Sequence, residues 1–362
     1  MKILHIYKDY YPILGGIENH IKTLAELEAQ AGHHVTVLVT NPSRLPSRET
    51  MNGVHLIRAG RLTTVASTPL TFGFLTALPR LKPDITHLHF PYPIGEVSQL
   101  LAGKRPYIIT YHSDVVRQQT ILRFYKPLLW RVLHSAARIL PTSDRYIVSS
   151  PYLQPLAEKC TVVPLSVDPH PFAHPTPLIP PADRPTLLFI GRHRYYKGLD
   201  TLLQAMPNLK ARLLVGGSGP EQARWQALAG EMGVTDRVQF LGDISDDDLP
   251  RFFANGDVFV LPANSRAEAF GKVLLEAMAT GLPCITTELG TGTSFVVQDG
   301  VTGFVVPPQN SEALATAISR LLENVELRKA MGAAGRARVL AEFTPEKLLD
   351  RTQRVYREVL GE

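Results

Sequence analysis

Cysteine is nearly absent from this chain, which carries only Cys160 and Cys284 among 362 residues. Two cysteines so far apart exclude a disulfide framework and a cysteine-based zinc cluster, and such scarcity is typical of proteins in a reducing compartment. The composition, 44% hydrophobic and 20% charged, excludes disorder as the main state and suits about two domains. We therefore expect a globular, cytoplasmic protein.

Long apolar runs are also missing. The N-terminal segment reaches Lys8 and Asp9 after a few apolar residues, which is too short for the hydrophobic region of a signal peptide. The stretch 62–79 is uncharged, but Pro69 and Gly73 interrupt it. The sequence predicts no membrane-spanning segment.

Charge is unevenly divided along the chain. Residues 1–170 hold 18 Lys and Arg against 11 Asp and Glu, a net charge of +7, whereas residues 171–362 hold 20 against 22, a net charge of −2. No basic segment carries the interleaved aromatics or the groove-reading motif that nucleic-acid recognition requires. The two halves are expected to meet different partners, neither of them nucleic acid.

A proline-rich segment divides the chain, because seven prolines between Asp168 and Pro185 prevent a helix or a central strand. We expect an N-terminal domain over 1–168, a linker over 169–185 and a C-terminal domain over 186–343. The segment 344–362 has helical spacing and either returns to the first domain or completes the second.

Apolar strands alternate with helical segments on both sides of this boundary, from residues 2–7 to the strand predicted at 161–166, and again from 186 onward. Such alternation favours parallel sheets covered by helices on both faces. The predicted fold class is α/β, with two Rossmann-like domains that face each other across a cleft. A ligand is expected at the carboxyl ends of the strands.

Glycine-bearing turns follow several predicted strands or open helices. Glycine lets backbone N–H groups approach a phosphate closely, and a helix N-terminus adds partial positive charge. One such turn is ordinary loop geometry, but several on opposed domains favour a phosphate-bearing ligand. The turns lie at Gly15–Gly16, Gly191, 216–220 and Gly271.

Arg192 and Lys197 follow a predicted strand end, five residues apart across a turn. A guanidinium and an ammonium together suit a diphosphate whose negative charge grows as a bond to it breaks. The pair alone would equally fit two solvated surface cations, and we assign Arg194 to that ordinary role.

Glu268 and Glu276 flank the Gly271 step. If the segment were helical throughout, their backbones would be about 12 Å apart along the axis, so they could not act on one atom as a glycosidase pair does. They could instead hold two separate polyols at either end of a diphosphate. Two solvated glutamates are the alternative, although Glu276 lies among apolar residues.

Two patterns could indicate a metal. Acidic residues at 246–248 open a predicted helix, where capping is the ordinary role. His87 and His89 share one face of a strand and could bind a metal with His112. Because we expect no cysteine or suitable carboxylate near them, we interpret them as polar residues lining a cleft and predict no metal.

Several motifs together resemble the family 4 retaining glycosyltransferases of the GT-B fold, in particular bacterial enzymes that transfer mannose or rhamnose in O-antigen and exopolysaccharide assembly. They occur in order over about 1–320. The motifs are GGIExH at 15–20, THLH at 86–89, TYHSD at 110–114, GRxxxxKGLD at 191–200, LLVGGSGP at 213–220, the EAFGKVLLEAMA block at 268–279 and DGVTGFVVPP at 299–308.

The resemblance implies transfer of a sugar from a nucleotide diphosphate sugar to a glycan or lipid-linked acceptor, without metal or other cofactor. It places Arg192 and Lys197 on the diphosphate, Glu276 on the ribose, and assigns Gly16 to the diphosphate through its amide. The donor sugar is contacted by Glu268, Phe270, Gly271 and His112, of which Glu268 and His112 are catalytic together with Arg192 and Lys197. Asp9 and Asp114 are expected at the acceptor.

One departure concerns the donor sugar, because residues 288–295 lack the acid of the Gly-Gly-x-x-Glu stretch that many relatives carry. A mannose-type sugar on GDP is our first expectation. The alternatives are a UDP-hexose donor, a nucleotide-sugar 2-epimerase or a phosphorylase on the same fold, and a sugar-nucleotide sensor. A nicotinamide oxidoreductase is discounted, because no G-x-G-x-x-G follows the first strand.

Residues 104–138 mix seven cations with apolar residues and one acid. Such a segment could bind anionic lipid on the inner face of a membrane, where a lipid-linked acceptor would also lie. Alternatively, Leu128, Leu129, Val132 and Leu133 are core positions and the cations form a solvated face. The cations are Lys104, Arg105, Arg117, Arg123, Lys126, Arg131 and Arg138.

Overall fold

The computed structural model describes residues 1–13, 15–65, 68–103, 106–115 and 119–362. The chain divides into two compact units. Unit one comprises Met1–Leu165 and Pro345–Glu362, and unit two comprises Ser166–Thr344. Each unit contains one main sheet whose strands are largely parallel, so the predicted α/β class with two Rossmann-like domains is confirmed.

Unit one is built around a sheet in the order β3-β4-β2-β1-β7-β8-β9. Buried apolar strands form its centre, and helices lie along the chain between them. The elements are β1 Lys2–Ile6, α1 Gly16–Gln30, β2 His34–Asn41, β3 Ser47–Met51, β4 Val54–Gly60, β5 Thr63–Val65, β6 Thr68–Leu70, α2 Gly73–Ala77, β7 Ile85–Phe90, α3 Pro93–Leu101, β8 Tyr107–Tyr111, α4 Gln119–Ser135, β9 Arg138–Pro141 and α5 Asp144–Ser149.

The edge of this sheet differs from the expectation of parallel strands. β3 pairs with β4 in the antiparallel sense. The two strands are joined by Asn52 and Gly53, both with positive φ (48° and 82°), as a two-residue hairpin turn requires. The Asn-Gly pair was a visible hairpin signal in the sequence.

The prediction of a strand at 161–166 is wrong. Residues 161–166 are extended but form no strand, although the N–H groups of Thr161 and Val163 donate to the carbonyls of Ile139 and Pro141, at 2.9 and 3.0 Å. In this parallel pairing the N–H at position 141 would donate back to the carbonyl of Thr161, but Pro141 has no N–H, so the ladder is incomplete.

The C-terminal helix α13, Pro345–Leu360, belongs to unit one. Its buried face, with Leu348, Val355 and Tyr356, joins a core cluster with strand residues such as Ile3 and Ile85. Unit one is therefore completed by residues more than three hundred positions from its first strand.

Unit two holds a fully parallel sheet in the order β12-β11-β10-β13-β14-β15. The glycine-bearing turns at Gly191 and 216–220 follow its two adjacent strands β10 and β11. The elements are β10 Thr186–Ile190, α6 Leu199–Ala205, β11 Arg212–Gly216, α7 Gln222–Glu231, β12 Val238–Gly242, α8 Leu249–Phe253, β13 Val258–Leu261, α9 Lys272–Ala279, β14 Cys284–Thr287, α10 Thr293–Val296, β15 Gly303–Val306, α11 Ser311–Glu323 and α12 Val325–Glu342.

The proline-rich segment 169–185 lies within unit two and packs on it. The Phe172 ring is buried 6.0 Å from the Phe253 ring. The Asn255 side chain accepts a hydrogen bond from the N–H of Leu178 and donates one to the carbonyl of Ile179. Apart from a short 3₁₀ helix at His170–Phe172, the segment forms no helix or strand, but its side chains still pack on unit two.

Helix α4 carries part of the basic segment. Leu129, Val132 and Leu133 are fully buried, so these three apolar positions belong to the core, as the alternative interpretation predicts. The exposed residues include Arg123, Lys126 and Arg131, whereas Lys104, Arg105 and Arg117 lie outside the described residues. Within the described residues, every helix is too short or too polar to traverse a bilayer.

Helices α3 and α4 are joined by a buried carboxyl group. Glu96 on α3 accepts a hydrogen bond from the N–H of Tyr92 at 2.6 Å and another from the hydroxyl of Tyr125 on α4. Burial raises the pKa of Glu96 to about 7, although both hydrogen bonds oppose the shift.

This raised pKa predicts a pH-dependent stability. Protonated Glu96 favours the folded state below its unfolded pKa, and this contribution, up to about 3 kcal/mol, is lost as pH rises through the folded pKa. Glu96→Gln should therefore flatten the decline in unfolding free energy between about pH 5 and about pH 8. Denaturant titrations of both proteins check this, and identical slopes would show that Glu96 ionises freely.

Candidate active site

Lys197 is positioned by a tight turn after β10. Residues Tyr195–Lys197 form a single 3₁₀ turn that ends at Gly198, which has φ 70°. A Cβ at Gly198 would lie 1.9 Å from the carbonyl oxygen of Pro262, so only glycine fits. Asn264 stabilises the turn, because its side-chain amide donates to the carbonyl of Tyr195 and its backbone N–H donates to the carbonyl of Tyr196. These contacts bring the end of β10 against the end of β13.

The turn directs the ammonium of Lys197 onto Glu268. The Lys197 Nζ to Glu268 Oε2 distance is 2.7 Å, and the two side chains are 12% and 10% exposed. Burial alone would lower the pKa of Lys197, but Glu268, Tyr196 and Glu276 raise it above its ordinary value. The site therefore presents a fully charged, largely desolvated ammonium, which interacts more strongly with an anion than a solvated lysine does.

The two arginines of this loop, Arg192 and Arg194, differ in their exposure to solvent. Arg192 directly follows Gly191 and is exposed, and among the described residues it has no ion-pair partner. Arg194 is half-buried. The structure thus brings Lys197 and Glu268 together, while Arg192 remains at the rim of the turn.

Helix α9 begins at Lys272, with Gly271 as its N-cap residue at φ 78°. Glu268 therefore lies in a turn before the helix, so the distance expected for a continuous helix does not apply. Glu276 is on the first turns of α9, 3.5 Å from Lys272, and burial raises its pKa while Lys272 lowers it. The two glutamates are thus held separately, one in a loop and one on a helix.

The loop after β14 packs against the Glu268 turn. Thr291 donates to the carbonyl of Glu268 at 2.9 Å, and a Cβ at Gly292 would lie 2.6 Å from the Phe270 ring. Phe270 is 3% exposed and therefore lies in the interior rather than at a surface. In the segment that departs from the family pattern, Glu288 accepts hydrogen bonds from Gly290 and Ser294.

The acidic run at 246–248 opens α8. Asp248 is its N-cap residue, but the side chain that accepts a hydrogen bond is Ser245 Oγ, from the N–H of Asp248 at 3.1 Å. The Asp248 carboxylate instead pairs with Arg251 at 2.9 Å. Among the described residues, this run is not one of the groups able to surround a metal ion.

In unit one, Gly16 begins α1, and a Cβ there would meet open space. Gly15 is more constrained, because a Cβ would lie 2.1 Å from Glu18 Oε2. Burial raises the pKa of Glu18, and Asp9 raises it less strongly. The start of α1 thus has an exposed glycine at position 16 and a buried carboxyl group at Glu18.

His112 follows β8 and is 3% exposed. Its Nε2 lies 3.2 Å from His89 Nδ1, and its ring centroid is 5.2 Å from that of His20. Burial lowers the pKa of His112 well below its ordinary range, and His20 lowers it further. His112 is therefore neutral near pH 7 and can act as a hydrogen-bond partner.

The expectation that no suitable carboxylate lies near these histidines is wrong. Glu28 Oε2 is 2.6 Å from His5 Nε2, and His5 in turn contacts His89. His5 and His87 are register partners on β1 and β7, which brings their rings within 5.1 Å. Sequence reasoning missed both His5 and Glu28; a histidine on β1 facing the His-x-His strand was the available signal.

The two aspartates assigned to the acceptor are already engaged. Asp9 pairs with Arg61 at 2.5 Å. Asp114 accepts hydrogen bonds from the hydroxyls of Tyr111 and Ser150, both at 2.7 Å. Each aspartate fixes a loop next to a strand end in unit one.

Comparisons identify the class of this protein. Over 99% of both chains, the structure resembles sucrose-phosphate synthase from Thermosynechococcus elongatus, with a TM-score of 0.81 and 25% sequence identity. The fold is therefore GT-B, the architecture of nucleotide-sugar glycosyltransferases.

The family follows from the sequence comparisons. The model for Glycosyltransferase Family 4 matches residues 14–170, and that for glycosyl transferases group 1 matches 174–338. The chain is 34% identical to O-antigen chain mannosyltransferase C of Escherichia coli over 99% of both chains. It is 35% identical to D-rhamnosyltransferase WbpZ of Pseudomonas aeruginosa, over 95% of this chain and 92% of that one. The chain belongs to glycosyltransferase family 4, and the predicted resemblance is confirmed.

Proposed function

We propose that this glycosyltransferase transfers mannose or a mannose-derived sugar from a GDP-sugar, with retention, to a glycan or lipid-linked acceptor of a cell-surface polysaccharide. The observation that carries the proposal is the similarity, over nearly the full length, to two relatives. One is named a mannosyltransferase (34% identical) and the other a D-rhamnosyltransferase (35% identical). D-Rhamnose is 6-deoxymannose, so one sugar configuration is common to both names.

We propose residues 186–343, which lie within unit two, as the donor domain, and residues 1–168 as the acceptor domain. Lys197 would act on the diphosphate with Arg192, whose exposed guanidinium is free to close on it. Glu268 and the backbone amide of Gly271 would bind the donor sugar. Phe270, which is buried, would contribute to donor binding by stabilising the backbone of residues 268–271. Glu276 would bind the ribose.

In unit one, we propose that the Gly16 amide contacts the diphosphate and His112 the donor sugar. Asp9 and Asp114 would contribute to the acceptor site through the loops that they fix. As the bond between the anomeric carbon and the phosphate oxygen breaks, negative charge grows on the diphosphate. A preorganised ammonium in a poorly solvated site stabilises that charge at little reorganisation cost.

A thermal-shift panel tests the donor. A ligand at 100 times its dissociation constant adds about 2.7 kcal/mol to the unfolding free energy, so GDP-mannose should raise the melting temperature well above UDP-sugars. A larger shift with a UDP-hexose would support the UDP-dependent alternative. Binding without transfer would favour a sensor, and conversion of the sugar without an acceptor would favour an epimerase. The anomeric configuration of the product, read by NMR, tests retention.

We predict that transfer needs no divalent metal. Arg192, Lys197 and the N-termini of α1 and α9 would supply the positive charge that a metal otherwise brings. The initial rate should be unchanged after dialysis against a chelator. If the rate fell and manganese or magnesium restored it, the acidic run at 246–248 would become the first metal candidate.

We also propose that the exposed cations of α4 attract an anionic membrane surface. Each basic residue near such a surface contributes roughly 1 kcal/mol, and salt weakens the attraction. Because Leu129 and Leu133 of α4 are buried in the core, they do not insert into the membrane, and the proposed binding is mainly electrostatic. Co-sedimentation with phosphatidylglycerol vesicles should therefore fall with salt, and also when Arg123, Lys126 and Arg131 become serine. Binding that is absent at low salt, or unaffected by these changes, would indicate a soluble acceptor.

A further inference from the structure

A buried hydrogen-bond network runs through unit one, from α1 to the end of β8. Its members are 3% exposed or less and come from separate parts of the chain. We call it the histidine network; it consists of His5 on β1, Glu28 on α1, His87 and His89 on β7, Thr110 on β8, His112 after β8, and Tyr356 on α13.

One arm of the network links Glu28 to His112. Glu28 Oε2 lies 2.6 Å from His5 Nε2. His5 Nδ1 lies 3.0 Å from His89 Nε2, and His89 Nδ1 lies 3.2 Å from His112 Nε2. Each imidazole thus uses one ring nitrogen toward the carboxylate and the other toward the next residue, except His112, whose Nδ1 lies at the end of the arm.

The second arm begins on the other carboxylate oxygen. The Tyr356 hydroxyl donates to Glu28 Oε1 at 2.9 Å and lies 2.7 Å from His87 Nδ1. His87 Nε2 lies 2.6 Å from the hydroxyl oxygen of Thr110. This arm contains no residue assigned to the donor sugar.

An ionised Glu28, together with one ring proton on each imidazole, would determine the direction of the hydrogen bonds in these arms. An ionised carboxylate only accepts, so His5 must donate from Nε2. Burial lowers the pKa of His87, His89 and His112 well below the ordinary range, so each carries a single ring proton near pH 7. A neutral imidazole that donates from Nε2 must accept at Nδ1. With one ring proton on His5 as well, the direction passes unchanged from His5 through His89 to His112.

We propose that Glu28, acting through His5 and His89, fixes His112 as the Nε2–H tautomer, so that its Nδ1 accepts a hydrogen bond from a hydroxyl group of the donor sugar. The proposal rests on the proposed function, in which His112 contacts that sugar. Glu28, His5 and His89 are positioning residues. The substrate class that this arrangement selects is a sugar with a free hydroxyl at the contacted position, because a deoxygenated analogue would leave a buried acceptor unpaired.

Metal binding explains these residues less well. The triads His5–His87–His89 and His20–His89–His112 have ligand atoms close enough to surround an ion. Both triads need His89, and both of its ring nitrogens already form hydrogen bonds within the network. A metal would have to break one of them.

The tautomers can be measured without substrate. Two-bond ¹H–¹⁵N correlation spectra of the full-length protein should show His5, His89 and His112 as Nε2–H tautomers. Glu28→Gln keeps the side-chain shape but can also donate, so it should populate the opposite tautomer of His112. Finding wild-type His112 protonated on Nδ1, or on both nitrogens, would overturn the proposal even if the variant failed to fold.

Kinetics give a second readout. Loss of an outer positioning group typically costs about 10–100-fold in activity, and we expect this loss in kcat/KM for Glu28→Gln. Tyr356→Phe is the matched control, because it removes a hydrogen bond to the same carboxylate in the other arm; it should keep the His112 tautomer and kcat/KM within a few-fold. Donor analogues that each lack one sugar hydroxyl should also be compared. For one of them, the fall in kcat/KM relative to the complete donor should be larger in the wild type than in Glu28→Gln.

The outcomes separate this inference from the proposed function. Equal losses in Glu28→Gln and Tyr356→Phe, with the His112 tautomer unchanged in both, would reduce the network to a packing role. A wild-type protein with the expected tautomers but no transfer from any GDP- or UDP-sugar would instead refute the proposed function and the sugar contact, leaving the proton arrangement established.

Discussion

Lys197→Ala should lower kcat about 10²–10³-fold and change donor binding much less, because its ammonium acts mainly on charge that develops in the transition state. The Lys197 side chain is only 12% exposed, so the attraction between its ammonium and the departing diphosphate would be weakly screened. Steady-state kinetics with a separate measurement of donor affinity divide the effect between kcat and binding.

Arg194→Ala is the matched control for this variant. It removes a cation from the same loop, three residues away, at a half-buried position to which we assign no role in the reaction. Its kcat should stay near that of the wild type. If Lys197→Ala weakened donor affinity and left kcat unchanged, Lys197 would serve ground-state binding only.

Glu268→Gln should also remove most turnover, by about 10²-fold or more. The amide keeps the size of the side chain but loses the negative charge that pairs with Lys197 at 2.7 Å and that would hold the donor sugar. Because the two residues are in contact, the double variant should lose less than the two single effects combined. A full double-mutant cycle in kcat/KM measures this coupling.

Glu326→Gln controls for the loss of a unit-two carboxylate, since Glu326 pairs with Lys329 on the exposed surface of α12. Thermal unfolding of all variants should accompany the kinetics, because an unpaired Lys197 in a desolvated position also lowers stability. Strictly additive losses for Glu268→Gln and Lys197→Ala would mean that the ion pair has no part in turnover.

The unit-two site was largely predictable because its determinants are local. Gly191, Lys197 and Gly198 occupy one loop, Glu268 and Gly271 occupy another, and Glu276 follows on α9, so strand ends and glycine spacing indicate which segments carry the candidate residues. The sequence could not show that Glu268 precedes the helix, because the start of α9 depends on the positive φ of Gly271 and on Leu261 and Leu274 packing beside it.

The edge of unit one and the end of its first half were harder to predict. β3 is short and exposed, with little apolar pattern, and its existence depends on pairing with β4 across the Asn52–Gly53 turn. Residues 161–166 have the composition of a strand, but Pro141 on the neighbouring β9 has no N–H to donate back to them, so the ladder is incomplete. In both places backbone hydrogen bonding, rather than side-chain pattern, determined the outcome.

The sequence by itself determined the alternation of strands and helices, the glycine turns and the charged residues that follow them, because each depends on neighbours a few positions apart. Only the tertiary structure placed Glu28 against His5, and Tyr356 against both Glu28 and His87, across separations of up to 328 residues. α13 packs on α1 and the first sheet, which removes these polar groups from water, so they must satisfy one another. The proton positions around His112 follow from that packing, and no local pattern encodes them.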